Sequence, residues 1–549
     1  MHDYDVVIIG SGFGGSVAAL RLTEKGYKVC VLEAGARFED YQFAKNSWEF
    51  KKFLFFPRLG LKGIQRIDFL KNVMVMSGAG VGGGSLVYAN TLYRPPQSFY
   101  KTGSWAQIAD WERLLAPYFD QAEKMLGVVP NPYFSPSDAA LQRLAERNGR
   151  GETFRLTPVG VNFEHTGDPF FGGKGPERKP CINCGECMTG CRHGAKNTLV
   201  KNYLYLAEKA GAEVRELTTV TDIVENEDGF VIKTRRSSGG GKGSLTANQV
   251  VVAAGALGTA KLLQRVRAKG HLRGLSPTLG QLSRTNSESL LGVVSSDESV
   301  DYSLGSAITS SYFPNEDTHI ESVRYGKGSN LMALLQSVMA SSKSGKAPNP
   351  LRLIGVTIKN FWKLPRFYNL RHWSERTLIL LVMQSADNSL TTFLRGRRLT
   401  SRQGLGEPNP AWVKAGHEAA RDLAGDIDGT PGAVITEPFG MPMTAHFLGG
   451  CVIADSPDKG VVDPYLRAFG VPGLHIFDGS TLSANPGVNP SLSITAQAEW
   501  ACAHWPNKGQ LDARPRLGAR FATIKATPPT LPIVPVVAPA ALRIPISPL

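Results

Sequence analysis

The chain begins with a short apolar run, YDVVII at 4–9, followed at once by glycine-rich punctuation and by Val17, Ala18, Leu20 and Leu22 at helical spacing within 14–26. A second apolar run, KVCVLE, follows at 28–33. Runs this short and this continuously apolar suit strands buried on both faces, and a helix between two of them makes a βαβ unit with parallel strands. The pattern recurs far downstream. NQVVVAAGALGTAKLL at 248–263 reads as a buried strand that passes through Gly255 and Gly258 into a helix, and LHIFDGS at 474–480 as a strand ending in a turn. The elements of one doubly wound sheet are thus predicted at the beginning, middle and end of the chain, with a second domain inserted around 286–434.

Length and composition sharpen this picture. A chain of 549 residues exceeds one simple core and holds two or three domains. A 42% hydrophobic and 20% charged composition is that of a globular protein, and nowhere do apolar residues run uninterrupted for the roughly 18–20 positions of a membrane span. The opening residues lack a basic region, an apolar core and a cleavage site, so no cleavable signal peptide is read and the expected location is the cytoplasm. Beyond Arg514 there are seven prolines between 528 and 548 and no acidic residue, so this tail is expected to lie extended over the surface or to be disordered. No repeat of fixed period is present.

The formal charge of +14 arises from 61 basic against 47 acidic residues. No compact Lys/Arg run or nucleic-acid module accompanies it, so nucleic acid is not an expected partner. Two stretches mix bases with large apolar groups instead, EFKKFLFFPRLGLKGIQR at 49–66 and IKNFWKLPRFYNLRHW at 358–373. They suit lid or core segments with snorkelling bases, or a peripheral contact with an anionic membrane surface.

The first turn carries chemistry. Gly10, Gly12 and Gly15 form G-x-G-x-x-G between strand and helix, and Glu33 closes the second strand. In this setting Gly10 permits the tight turn, Gly12 lets the backbone approach a pyrophosphate, and Gly15 lets the helix pack on the strand. The helix N-terminus supplies N–H groups to the phosphates, and Glu33 accepts hydrogen bonds from the adenosine ribose. A further segment, GAGVGGGSLVYAN at 78–90, offers Gly78, Gly80, Gly82, Gly83 and Gly84 as a second cradle. A nicotinamide cofactor does not need one; FAD does.

With GSGFGG, GVGGGSLVYAN, VVAAGALGT, HFLGGC and DGSTLSANPGVNPSLSITAQAE in this order, the chain resembles the glucose–methanol–choline flavoprotein oxidoreductases from residue 4 to about 512. Within that family it is most similar to the actinobacterial-type cholesterol oxidases. The resemblance implies an α/β fold in which a Rossmann-like FAD-binding domain is interleaved with an α+β substrate domain whose sheet roofs the flavin. The expected division is FAD binding at 1–95, with a lid-like 45–70, then a connecting region at 96–195 that includes the Cys-rich 181–191. FAD binding resumes at 196–285, the substrate domain occupies 286–434, FAD binding ends at 435–513, and the Pro-rich tail is 514–549. On matching positions the resemblance places Phe13, Gly14, Glu33 and Val220 by the ADP half of FAD, and Gly84 and Asn90 by the flavin and ribityl portion. It also places Asp478, Gly479, Asn489 and Ser491 at the cofactor. Pro490 and the Asn before it are in their own right good helix-start signals, and a helix N-terminus there would stabilise a reduced, anionic flavin.

Alcohol oxidation needs a group to take the hydroxyl proton while a hydride leaves the same carbon. His446 and Asn489 match the family's active-site pair. Glu321, in THIESVRYGKGSN, falls where the resemblance expects the carboxylate that carries a proton from C4 to C6 of a 5-en-3-one, a role suited to an apolar pocket that raises its pKa. Taken alone, these three would read as a structural histidine, a helix cap and a surface Glu paired with Arg324. The implied reaction is oxidation of a 3β-hydroxysterol or other bulky alcohol with O2 as acceptor. A dehydrogenase passing electrons to a quinone or protein is the rival enzyme, and a non-catalytic electron-transfer flavoprotein is the rival of another class.

Cys181, Cys184, Cys187 and Cys191 lie in CINCGECMTGCRHGAKN, in a chain with seven cysteines. The spacing is that of a bacterial ferredoxin run, whose fourth cysteine serves another cluster and precedes proline; here Arg192 follows. A single iron–sulfur cluster would then need Cys30, Cys451 or Cys502 as a remote ligand, and none looks free to reach. Structural zinc sites generally join two separated pairs, and disulfides fit poorly with the absence of a signal peptide. The segment is left between a metal site and a local structural loop, with the loop favoured.

Overall fold

A computed structural model of the chain describes residues 2–341 and 347–544. The first apolar run forms β1 (Tyr4–Ile9), the helical pattern forms α1 (Phe13–Glu24), and the second run forms β2 (Val29–Leu32). β1 and β2 are parallel, with Val6 opposite Val29 and Ile9 opposite Leu32. The same sheet is extended much later by β3 (Glu213–Arg215), β4 (Thr218–Asn226), β5 (Gly229–Arg236) and β6 (Lys242–Val252). β3 runs parallel to β2, and the apolar end of β6 runs parallel to β1, whereas β4 and β5 add an antiparallel edge. β6 turns through Gly255 into α2 (Ala256–Ala268).

The chain then builds a second seven-stranded sheet. Its strands are β7 (Ser289–Ser295), β8 (Ile308–Tyr312), β9 (Thr318–Val323) and β10 (Gln336–Val338), and, after the helix α3 (Pro350–Lys359), β11 (Thr377–Gln384) and β12 (Gly429–Val434). The order is β10-β12-β7-β11-β9-β8, all antiparallel, with the short strand Arg155–Leu156 at the edge beyond β8. That edge strand comes from outside 286–434, so the sheet draws on the connecting region as well. One face packs Leu291, Val293, Leu378, Leu380 and Val382 against helices Pro136–Arg147 and Lys414–Asp426. Alternation along a strand sends the other residues to the opposite face, which looks toward the first sheet.

After this excursion the chain returns to the first sheet as β13 (Leu474–Ile476), parallel to β6, and ends its regular structure in α4 (Ser491–Ala503). α4 is buried on all sides and packs against α1, where Glu499 receives two hydrogen bonds of 2.8 Å from Arg21. A buried charge pair of this kind is tolerated because it sits in a hydrogen-bonded network, with Arg21 also donating to Glu24 and Glu499 also accepting from Tyr203. The tail beyond Arg514 holds no helix or strand through residue 544. It is nonetheless tied down: the Leu531 amide donates to the Glu24 carbonyl, the Ala540 amide donates to the Phe170 carbonyl, and Val534, Ala538, Ala540 and Ala541 are buried. No described helix is long and apolar enough to cross a membrane.

Candidate active site

The two sheets face one another across a deep cavity at which the N-termini of α1, α2 and α4 converge. Gly12 caps α1, Gly255 caps α2 with φ of +74°, and Pro490 caps α4, and none of these helices has a side-chain cap. Their first amides are left for something other than the protein. A Cβ on Gly12 or Gly255 would meet no atom within 4 Å, and one on Gly84 would meet only the Phe13 ring at 3.7 Å. These open glycines and uncapped helix ends fit an extended anionic ligand of the kind FAD is.

Other glycines serve the chain itself. A Cβ on Gly10 would come within 2.2 Å of the Ala253 carbonyl, on Gly14 within 1.8 Å of the Phe477 carbonyl, and on Gly15 within 2.1 Å of the Gly10 carbonyl. In the second glycine segment, Gly78 and Gly84 line the cavity, whereas Gly83 lies against Gly12 and Gly80 against Leu86. The segment is therefore as much a brace for the first turn as a cradle.

Of the residues singled out from the sequence, Gly12, Phe13, Gly14, Gly84, His446, Asp478, Gly479, Asn489 and Ser491 line the cavity. Gly10, Gly15, Glu33, Asn90, Val220 and Glu321 are not among its lining residues. Glu33 accepts from the Ser11 amide (3.0 Å), the Ser11 hydroxyl (2.7 Å) and the Gly35 amide (2.9 Å), and thereby fixes the first turn. Its backbone carbonyl receives the Thr218 amide, which brings the start of β4, and with it Val220, alongside. Asn90 is buried with φ of +71° and lies beside the Cys187 thiol. Asp478 accepts from the Thr259 hydroxyl and the Ser480 amide, and burial raises its carboxyl above the usual range.

Asn489 does not act as a helix cap. Pro490 occupies the cap position, and the Asn489 amide instead donates from Nδ2 to Glu321 Oε2 at 3.2 Å, leaving its Oδ1 without a partner. Glu321 is fully buried on β9, opposite Leu381 of β11 and two residues before Val323, both of which line the cavity. It is a buried carboxyl and not a surface partner of Arg324, whose guanidinium bonds to Leu304 and Thr309. Burial pushes Glu321 up to about 8, the Asn489 bond opposes this, and the Glu288 charge adds to it. Beside it His319 is stacked on Phe313 at 4.3 Å, and burial pushes this imidazole down to about 3, so it stays neutral.

Sequence reasoning missed Glu288. It is buried just before β7 and lines the cavity. It accepts from the Thr444 hydroxyl at 2.7 Å and from the Ala445 amide, and its Oε2 lies 3.2 Å from His446 Nδ1, off the line of a hydrogen bond. Nothing in SESLL marks this glutamate, because its role comes from a strand and a loop more than 150 residues apart. The segment before it is unusual: Leu282, Asn286 and Ser287 all have positive φ. Asn286 is held there by Asn485, Gly487 and Val488, the residues that lead into Asn489. One polar network thus sets both Glu288 and Asn489.

The Cys-rich segment forms a loop against this wall, and Met188 within it lines the cavity. None of its four cysteines is in a disulfide.

Fold and site together define a flavoprotein alcohol oxidoreductase that uses FAD. The chain belongs to the GMC oxidoreductase family: models of that family match residues 175–276 and 411–498, and a model of an FAD-binding domain matches 5–43. It is 52% identical to a cholesterol oxidase of Mycobacterium tuberculosis, over 100% of this chain and 99% of the relative. It is 42% identical to a cholesterol oxidase of Acinetobacter baumannii, over 93% and 96%. Among solved structures, an FAD-dependent oxidoreductase from Chaetomium thermophilum shares the fold with a TM-score of 0.59 at 17% identity, covering 91% of this chain and 98% of that one.

Proposed function

We propose that the protein oxidises the 3β-hydroxyl of a sterol to the ketone, with O2 as the final acceptor, and isomerises the product to the conjugated 4-en-3-one. The observation that carries this reading is a single apolar cavity holding two polar pairs, His446 backed by Glu288 and Asn489 backed by Glu321. Leu290, Ile308, Val323, Met332, Ile379 and Leu381 make the wall apolar enough for a rigid polycyclic alcohol. The names of the two relatives point to the same substrate.

Bound FAD supplies the acceptor for the hydride that leaves the carbinol carbon. The glycine turns at Gly12 and Gly84 and the ends of α1, α2 and α4 are the groups that would hold it. With Nδ1 turned to Glu288, His446 has Nε2 left for the substrate hydroxyl and takes its proton there. The buried Glu288 carboxyl, 3.2 Å from Nδ1, orients the ring so that Nε2 is the nitrogen offered to the substrate. Asn489 holds the substrate oxygen or the flavin edge. Glu321, in its ionised form, removes the C4 proton and returns it at C6; it accepts a hydrogen bond from Asn489, so the two share this part of the site.

Access to such a water-insoluble substrate accounts for the surface around α3. Leu353 and Val356 pack inward, while Leu351, Ile354 and Ile358, followed by Phe361 and Trp362, are exposed among Arg352, Lys359 and Lys363. This face is an interfacial docking surface for an anionic, sterol-bearing bilayer.

The test is an anaerobic panel of alcohols added to the purified holoenzyme. Cholesterol is expected to bleach the visible flavin band, and air to restore it with production of hydrogen peroxide. Bleaching by non-sterol alcohols alone would replace the substrate assignment, and reoxidation by quinones but not by O2 would replace the acceptor.

A further inference from the structure

The Cys-rich loop lies outside the sterol chemistry, and its geometry has a purpose of its own. Asn183 has φ of +56° and Gly185 has φ of +71°, so the chain turns twice in quick succession. The first turn aims the Asn183 amide at Cys181 Sγ, 3.4 Å away, and the second aims the Glu186 amide at the sulfur of Cys184. The Ala307 amide, on the neighbouring strand segment, does the same for Cys187. Backbone amides directed at successive sulfurs are a poor use of neutral thiols, which are weak acceptors, and a good use of metal-bound thiolates. The loop is anchored on both sides, since Gly185 donates to the Gly305 carbonyl and Gly305 to the Asn183 carbonyl.

Charge points the same way. Arg178 and Lys196 are buried beside the loop with no carboxylate at ion-pair distance among the described residues. Arg178 bonds to the Gly194 and Ala195 carbonyls and the Asn197 side chain, and Lys196 to the Leu86 and Cys187 carbonyls. Two buried, unpaired cations next to four cysteines leave a net positive pocket that an anionic centre would neutralise. Cys191 supplies the missing fourth position: it packs with Cys181 against the same small apolar cluster of Val159, Val161 and Ala195. No remote ligand is needed, contrary to the expectation from the ferredoxin spacing.

Spacing selects the kind of centre. Four sulfurs on one zinc ion would lie about 3.8 Å apart, from a Zn–S distance of about 2.3 Å. No three of these four lie within 4.8 Å of one another; among the described residues the group that does is Cys184, Glu186 and His193. Glu186 in that group is taken up by Arg192, with contacts of 2.9 and 3.1 Å. A cubane cluster, whose irons and sulfides stand between its ligands, holds its four sulfurs farther apart than a single zinc ion does. We propose that Cys181, Cys184, Cys187 and Cys191 bind an iron–sulfur cluster, seated against the cavity wall at Met188.

The test uses the full chain, produced with iron and cysteine supplied and purified anaerobically, with FAD bound. Iron and acid-labile sulfide are expected in nearly equal amounts, about four of each per flavin, with an electron paramagnetic resonance signal that changes on dithionite reduction. Cys184→Ser and Cys191→Ser are expected to lose iron and sulfide and keep the flavin spectrum. Flavin-only protein, zinc in place of iron, or full iron in Cys191→Ser would each overturn the assignment. Because the wild-type iron and sulfide content decides by itself, a misfolded variant leaves the test intact. A His446→Ala protein should retain its iron, so this result is separate from that of the sterol experiment.

Discussion

His446 has one nitrogen within 3.2 Å of a buried glutamate and the other left for the cavity, and in the proposed mechanism the two residues share the work of a general base. Catalytic hydrogen bonds are commonly long or misaligned before substrate arrives, so the off-axis contact is what an uncomplexed dyad shows. His446→Ala is expected to slow flavin reduction by about 10²–10⁴-fold. Glu288→Gln, which keeps the shape and the bond to the Ala445 amide, should lower the limiting reduction rate by about 10²-fold with sterol affinity and FAD content unchanged. Anaerobic stopped-flow separates rate from affinity, and a Glu288→Gln protein with wild-type reduction would remove Glu288 from the mechanism. Glu321 makes a different prediction. Its carboxyl is pushed up to about 8, so it is protonated at neutral pH and isomerisation, which needs the carboxylate, rises with pH through about 8. Glu321→Gln should release the unconjugated ketone. Between its ordinary value and about 8 the native state holds a proton that the unfolded chain has lost, so this group weakens native stability as pH rises across that window. The Tm of Glu321→Gln relative to wild type should therefore be higher at pH 8 than at pH 5.

At the scale of elements, apolar runs made the parallel strands legible, because a strand buried on both faces has no polar positions to interrupt it. YDVVII became Tyr4–Ile9, and the run at 248–263 divided at Gly255 into the end of β6 and the start of α2. The glycine fingerprint located the cofactor turn because the clash of a Cβ is a local matter. Glu288 was illegible because its meaning depends on pairings between distant strands and loops. The Asn–Pro signal located the start of α4, although a tertiary partner, Glu321, draws the Asn489 side chain away from the helix end. The amphipathic α3 was visible only as a mixture of bases and aromatics. Ile354→Asp with Ile358→Asp is expected to abolish sedimentation with phosphatidylcholine–phosphatidylglycerol–cholesterol vesicles while leaving activity on detergent-solubilised sterol unchanged. Wild-type vesicle binding by that double variant would remove α3 from the docking surface.

Over the whole molecule, three separated stretches assemble one sheet, and the intervening chain builds the roof over it. The termini close this arrangement. Lys25 Nζ donates to the Thr527 carbonyl at 2.7 Å, and Ile533 donates its amide to the Glu24 carboxylate at 3.0 Å, so the proline-rich tail works as a strap across α1. Val534→Asp places a charge where the strap is buried and should lower Tm by several degrees; an unchanged Tm would show the strap to be dispensable. The central claim concerns what the two sheets enclose, an alcohol carbon held between a base and a flavin. Anaerobic stopped-flow with cholesterol carrying deuterium at C3 tests it most directly. A several-fold slower bleaching of the flavin than with unlabelled cholesterol is predicted, because the C3–hydrogen bond breaks in that step, whereas no bleaching by cholesterol would contradict the account.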